Sequence, residues 1–267
     1  DLLAPGGSVL YGNTAIMSVD SNSADGSAFA DQVPNDYRSW QGTSMATPFA
    51  AGCAALVIDA IQQQGIVWDF YSDQHPRYVK MVLCATATET NANRQDGNYN
   101  PTLERASNGP DGYPPSKDPY EGYGIVNPDA AVEAVSLTYT GGSTESCSLG
   151  PDSTDRRAWA RTVTLTAGSP FVPRLVVPVS ADFDLYLYDA TPSAYGTPVI
   201  LAHSTNADAG ADESFTYIPS VDTTALIVIK RISGGGTFTL TTEPDSQAPT
   251  VASESPSRDS AVSSLPT

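Results

Sequence analysis

A chain of 267 residues and 28.0 kDa is longer than a typical single domain and has room for two. Its 13 Lys and Arg against 30 Asp and Glu give a net charge of −17 and an isoelectric point near 4.2, which repels phosphate backbones and anionic bilayers and argues against nucleic acid as a partner. Hydrophobic residues at 40% with only 16% charged exclude a disordered polyelectrolyte and fit a folded protein with weakly charged loops.

Up to Ser39 the chain is turn-rich, and the β-prone pieces GSVLYG and AIMSVD, separated by Gly, Asn, Asp and Pro, predict short strands and loops. From Ser44 the period changes. Met45, Phe49, Cys53, Leu56, Val57, Ala60 and Ile61 recur at steps of three and four, predicting a buried helix. Pro48 is expected in its first turn, where no N–H bond is lost, and Gly65 just past its end. HPRYVKMVLCATA predicts a second helix with Val79, Val82 and Leu83 on one face and Pro76 in the first turn. Residues 87–120 have no period and form a long loop, which is functional or mobile. EGYGIVNPDAAVEAV then predicts a strand or turn followed by a helix, with Asn127 as N-cap, Pro128 at the first helical position and Asp129 favourable to the helix dipole.

Residues 140–154, TGGSTESCSLGPDST, are predicted as a linker. Beyond them ARTVTLTAG, RLVVPVS, DFDLYLYD, ESFTYIP, TALIVIKR and GTFTLTT alternate as strands between turns, which predicts an antiparallel, jelly-roll-like β-sandwich over 155–243. The Ser- and Pro-rich residues 244–267 are a tail or the start of a further Ig-like domain. No apolar run is read as long enough to cross a membrane. The three cysteines lack metal-ligand spacing and cannot all pair, so Cys53 and Cys84 are expected as buried free thiols.

Ser44 stands where unpaired N–H groups leave a helix and where the helix dipole favours developing negative charge, as acyl transfer requires. Gly42 before it lets a substrate backbone come close, since no Cβ intrudes. A serine at a helix start is also an ordinary cap, so these features alone do not make a nucleophile. The wider segment GTSMATPFAAGCAAL, however, resembles the serine segment of subtilisin-like peptidases. DLLAPGGSVL resembles that family's Asp-x-x-Ala-Pro-Gly stretch, and EGYGIVNPDAAV its closing signature. The resemblance covers residues 1–139 and implies the C-terminal part of an α/β domain, a parallel sheet between two helix layers. By position it implies Ser44 as nucleophile, with its backbone N–H as an oxyanion donor, and a substrate pocket bordered by Gly42. It requires no cofactor.

Subtilisins present their triad in the order Asp, His, Ser. Here the only histidines, His75 and His203, follow Ser44, and each is expected to be structural. Loss of the base costs subtilisin roughly 10⁶ in turnover, so the chain alone is expected to be nearly inert. The Asp, the His and the oxyanion Asn are expected in a preceding half of the domain. That half is the chain's expected partner, together with a protein or peptide substrate. Without it, residues 1–139 are expected to leave the Ser44 helix partly uncovered.

Residues 155–243 resemble the pre-peptidase C-terminal domains of secreted peptidases, which implies an accessory role and a secreted or cell-surface location. Asp182, Asp184 and Asp189 could offer oxygens to a structural Ca²⁺, but a solvated acidic strand edge is the better reading, because two of them sit on one strand with no further ligand identifiable. The resulting expectation is a serine endopeptidase acting through Ser44. The alternative is a non-catalytic extracellular binding protein that retains a subtilisin-like scaffold.

Overall fold

The computed structural model describes residues 1–8, 14–19, 37–90, 121–152 and 154–242. Much of the predicted 87–120 loop and the tail beyond residue 242 lie outside them.

The serine-bearing unit is built on three helices. Helix α1, Thr43–Gln63, buries Cys53, Val57, Ala60 and Ile61, which share one face at helical spacing. It stops at Gln63, and Gly65 follows with a φ of 82° that suits a glycine past a helix end. Pro48 is not in the first turn but is the sixth helical residue, so the missing N–H is the one that would have met the Ser44 carbonyl. α1 is also long and apolar enough to cross a bilayer by length and composition, contrary to expectation. Core helices of soluble domains meet the same test. Helix α2, Gln74–Thr86, buries Val79, Val82 and Leu83 as predicted. Helix α3, Pro128–Ser136, buries Ala130, Ala131 and Ala134, whose small side chains let it lie close against α1 and α2.

A hairpin of β1, Ile16–Val19, and β2, Tyr37–Trp40, runs antiparallel and leads directly into α1. The parallel pairing expected of an α/β domain is present among the described residues as the bridge between Leu3 and Ile125, while Thr88 meets Ile125 from the other side.

Asn127 is the residue before α3, but its side chain does not cap that helix. Its amide instead donates to the Thr86 carbonyl at 2.9 Å and the Thr88 hydroxyl at 3.0 Å, tying the end of α2 to the start of α3. Asn127→Ala would leave these buried acceptors unpaired and is expected to cost about 1.5 kcal/mol, read as a lowered urea midpoint at unchanged slope.

The second unit is a sandwich of two four-stranded antiparallel sheets. One sheet has the order β3 (Thr144–Leu149), β10 (Gly236–Thr242), β5 (Pro173–Val176), β8 (Glu213–Ser214). The other has the order β4 (Ala158–Leu165), β9 (Thr223–Ser233), β6 (Asp182–Asp189), β7 (Ile200–Ser204). First pairs with last and second with next to last, as in a jelly roll, so the predicted class holds. Trp159, Phe183, Leu185, Ile227, Phe238 and Leu240 pack between the sheets.

Two expectations for this half change. Residues 140–154 are not merely a linker, because 144–149 form β3 and pair with β10. The alternation in DFDLYLYD is as read, but its second face is not solvated: Asp184, Tyr186 and Tyr188 are fully buried, as are Leu226 and Val228 beside them on β9. That face packs on the helices, and residues of α1, α2, α3, β4, β6 and β9 form one continuous apolar core.

Candidate active site

The stretch before α1 is held by glycines. The Gly42 N–H donates to the Gly6 carbonyl at 2.7 Å, and a Cβ on Gly6 would stand 2.7 Å from the Gly42 oxygen, so the two strands of backbone meet only because Gly6 has no side chain. The Gly42 carbonyl in turn accepts from the N–H groups of Met45 at 3.0 Å and Ala46 at 3.2 Å. These contacts place residues 1–7 alongside the first turns of α1. A cleft of about 470 Å³ opens between them, lined by Leu2, Leu3, Gly6, Gly42, Thr43 and Ala46.

Ser44 is the second residue of α1 and is exposed. Its N–H is one of the donors that a helix start leaves unbonded, and among the described residues its hydroxyl has no hydrogen-bond partner. Gly42 has a φ of 129° and open space at its Cβ position.

Neither histidine is brought to Ser44. The Nδ1 of His75 accepts the Asp69 N–H at 2.9 Å and its ring lies 5.1 Å from that of Trp68, so it organises the turn between α1 and α2. His203 lies on β7 with its ring stacked 6.1 Å from that of Tyr186. Ser44 therefore has a free donor beside it but no base among the described residues, which permits an oxyanion contact and not proton transfer.

The three acidic residues considered for calcium do not act together. Asp184 is fully buried and accepts the Tyr186 hydroxyl at 3.0 Å, while Asp189 accepts the Thr191 N–H at 2.7 Å. Asp182 is buried at the start of β6. The solvated-edge reading is thus corrected for Asp182 and Asp184. Among the described residues no group of three or more His, Cys, Asp or Glu side chains is arranged to hold a metal ion. Cys53 and Cys84 are buried free thiols, and burial pushes the Cys53 thiol up.

Two polar clusters escaped the sequence reading. Glu133 on α3 meets both Arg156 and Arg161 from the sandwich, and Arg156 also pairs with Asp129 at 3.0 Å. Burial alone would raise the Glu133 carboxyl, but the hydrogen bonds and charges of the two arginines outweigh it and hold it below the usual carboxylate range. The second cluster surrounds Lys230 on β9, buried with its ammonium over the rings of Tyr186 and Tyr188. A lysine inside the run ALIVIKR was the available signal, since the strand's alternation puts it on the face opposite Ile229.

Comparison with known proteins places these features. Residues 1–103 match the subtilase family, peptidase S8. No curated protein matches the chain. Among solved structures, the pre-peptidase C-terminal domain of collagenase from Bacillus anthracis is similar at 11% identity, covering 40% of this chain and 93% of that one with a TM-score of 0.32. The surface-associated copper-binding protein CorA of Methylomicrobium album BG8 is similar at 9% identity, 38% and 92% coverage and a TM-score of 0.28. The Yersinia pseudotuberculosis-derived mitogen is similar at 13% identity, 39% and 90% coverage and a TM-score of 0.26. The stretch that matches the subtilase family model, residues 1–103, carries Ser44, and the chain continues beyond it into an eight-stranded β-sandwich.

Proposed function

We propose that this chain is the serine-bearing part of a secreted or cell-surface serine endopeptidase. Ser44 attacks the peptide carbonyl, its own N–H meets the oxyanion, and Gly42 borders the pocket for the residue preceding the scissile bond. The observation that carries this reading is the match of residues 1–103 to the subtilase family, with Ser44 exposed at the start of α1 and its N–H unbonded. The base, the Asp that orients it and the oxyanion Asn are supplied by a preceding half of the domain. That half also covers the outer side of α1, where Phe49 and Leu56 are 42% and 53% exposed. No cofactor takes part, and the substrate is a protein or peptide.

A non-catalytic binding protein is the second reading, favoured by the way His75 and His203 are both engaged elsewhere. A fluorophosphonate separates the two. On the intact protein the probe is expected to label Ser44 covalently, with labelling lost in Ser44→Ala. Absence of Ser44-dependent labelling in folded intact protein would leave only the binding role.

A further inference from the structure

A domain tethered beside a peptidase would keep its outer sheet face wet and its linker slack, and neither is seen. Strands β6 and β9 bury both faces, the outer one through Tyr186, Tyr188, Leu226 and Val228 against the helices. The connection has no slack either: the Thr162 N–H on β4 donates to the Leu137 carbonyl at 3.0 Å, the Tyr139 N–H donates back to the Thr162 carbonyl at 2.7 Å, and the Thr162 hydroxyl donates to the Ala134 carbonyl at 2.6 Å. Glu133 closes the joint by holding Arg156 and Arg161 together. On a separate side, the turn before β7 abuts α2, where a Cβ on Gly196 would stand 2.8 Å from the Arg77 carbonyl.

We propose that the outer face of the β4–β9–β6–β7 sheet is a docking surface whose partner is this chain's own helical layer, making the sandwich a buttress of the Ser44 helix. Helix α1 buries only the face carrying Cys53, Val57, Ala60 and Ile61, and α2 and α3, the helices that pack against it, rest in turn on the sandwich. The position of Ser44 therefore depends on a sheet that contributes no residue to the cleft. This holds whether Ser44 is a nucleophile or an inert cap, so failure of one reading leaves the other standing.

The three tryptophans offer a direct test on the 267-residue chain. Trp68 packs against the helical core and Trp159 lies between the sheets, while Trp40 is exposed. With Trp40→Phe in both, one chain keeps only Trp68 and the other only Trp159, and urea unfolding is followed by fluorescence. The two midpoints are expected to coincide, and Val228→Ala is expected to shift both by the same amount. Separate midpoints, or a Val228→Ala shift seen by one tryptophan alone, would overturn the proposal. Should a tryptophan substitution prevent folding, native-state hydrogen exchange on the unsubstituted chain decides. The amides of α2 and α3 are expected within about tenfold of the protection of β9, and exchange roughly a thousandfold faster than β9 would mark independent modules.

Discussion

Gly124→Ala is expected to destabilise the chain severely. Gly124 sits at a φ of +100°, a region that side chains rarely adopt, and a Cβ there would stand 2.1 Å from the Thr88 carbonyl oxygen and 2.5 Å from its carbon. Neither side can yield cheaply. The Ile125 N–H donates to the Thr88 oxygen at 2.7 Å, the Thr88 N–H donates back to Ile125 at 3.1 Å, and the Leu3 N–H donates to the Gly124 oxygen at 2.9 Å. Moving Gly124 away breaks the bridges that seat residues 1–7 against the cleft, and staying leaves a contact far inside van der Waals distance. Backbone strain of about 1–3 kcal/mol adds to the clash, so the total is expected at about 4 kcal/mol or more. Gly142→Ala provides the control, because Gly142 also has a positive φ, +81°, but open space around its Cβ position. It is expected to cost about 1 kcal/mol. Urea midpoints of the two variants read the difference, and equal losses would show that conformation alone, without the Thr88 contact, fixes this glycine.

The elements that could be read from the sequence are those whose signal is local. Apolar spacing from Met45 to Ile61 marks a helix wherever it lies, and alternation from Phe183 to Tyr188 marks a strand. What the alternation could not reveal was what lay opposite Asp184, Tyr186 and Tyr188. Polar and aromatic tips look solvated until a helical layer is placed over them. Asn127 misled for a related reason: asparagine before proline suits a cap, yet its amide was drawn to the Thr86 carbonyl and the Thr88 hydroxyl, 41 and 39 residues earlier in the chain, at and just past the end of α2. Strand β3 was hidden because Thr, Ser and Glu on an edge strand resemble a loop until β10 pairs with them. The place of Ser44 at the start of a helix was legible from its motif, whereas the distance of both histidines from it, among the described residues, was legible only as an order of residues, with His75 and His203 both following it.

Lys230, the lysine inside the apolar run ALIVIKR, is a residue whose replacement is expected to stabilise the protein. Its ammonium is buried without a hydrogen-bond acceptor, 5.3 and 5.5 Å from the ring centres of Tyr186 and Tyr188. Loss of solvation pushes it down to about 8 from 10.5, against the opposing pull of Asp184 on its own sheet and of Cys84 and Glu89 from α2 and its extension. The direction of the shift decides which effect wins: attraction falls short of the desolvation cost, so at neutral pH the fold carries a charge it would be more stable without. A group depressed in the folded state contributes stability that is complete above its unfolded value and lost as pH falls through the folded one. For Lys230 that window runs from about 10.5 down to about 8. Lys230→Met keeps the length of the side chain and removes the charge, and at pH 7 it is expected to raise stability by about 2 kcal/mol or slightly more. The advantage is expected to shrink steadily between about pH 8 and 10.5, with most of it gone by pH 10, because the folded amine is then neutral and fewer of the unfolded chains still hold the proton that folding must expel. Burial also raises Cys53 and holds Tyr123 up to about 12, so ionisation in the unfolded state erodes stability above pH 9 or 10, but equally in both proteins. Urea unfolding of the pair at pH 7, 8, 9 and 10 isolates the Lys230 contribution as the difference. A variant less stable than wild type at pH 7, with a deficit that shrinks on alkalinisation, would mean that the carboxylates of Asp184 and Glu89 hold the ammonium more strongly than its burial opposes it.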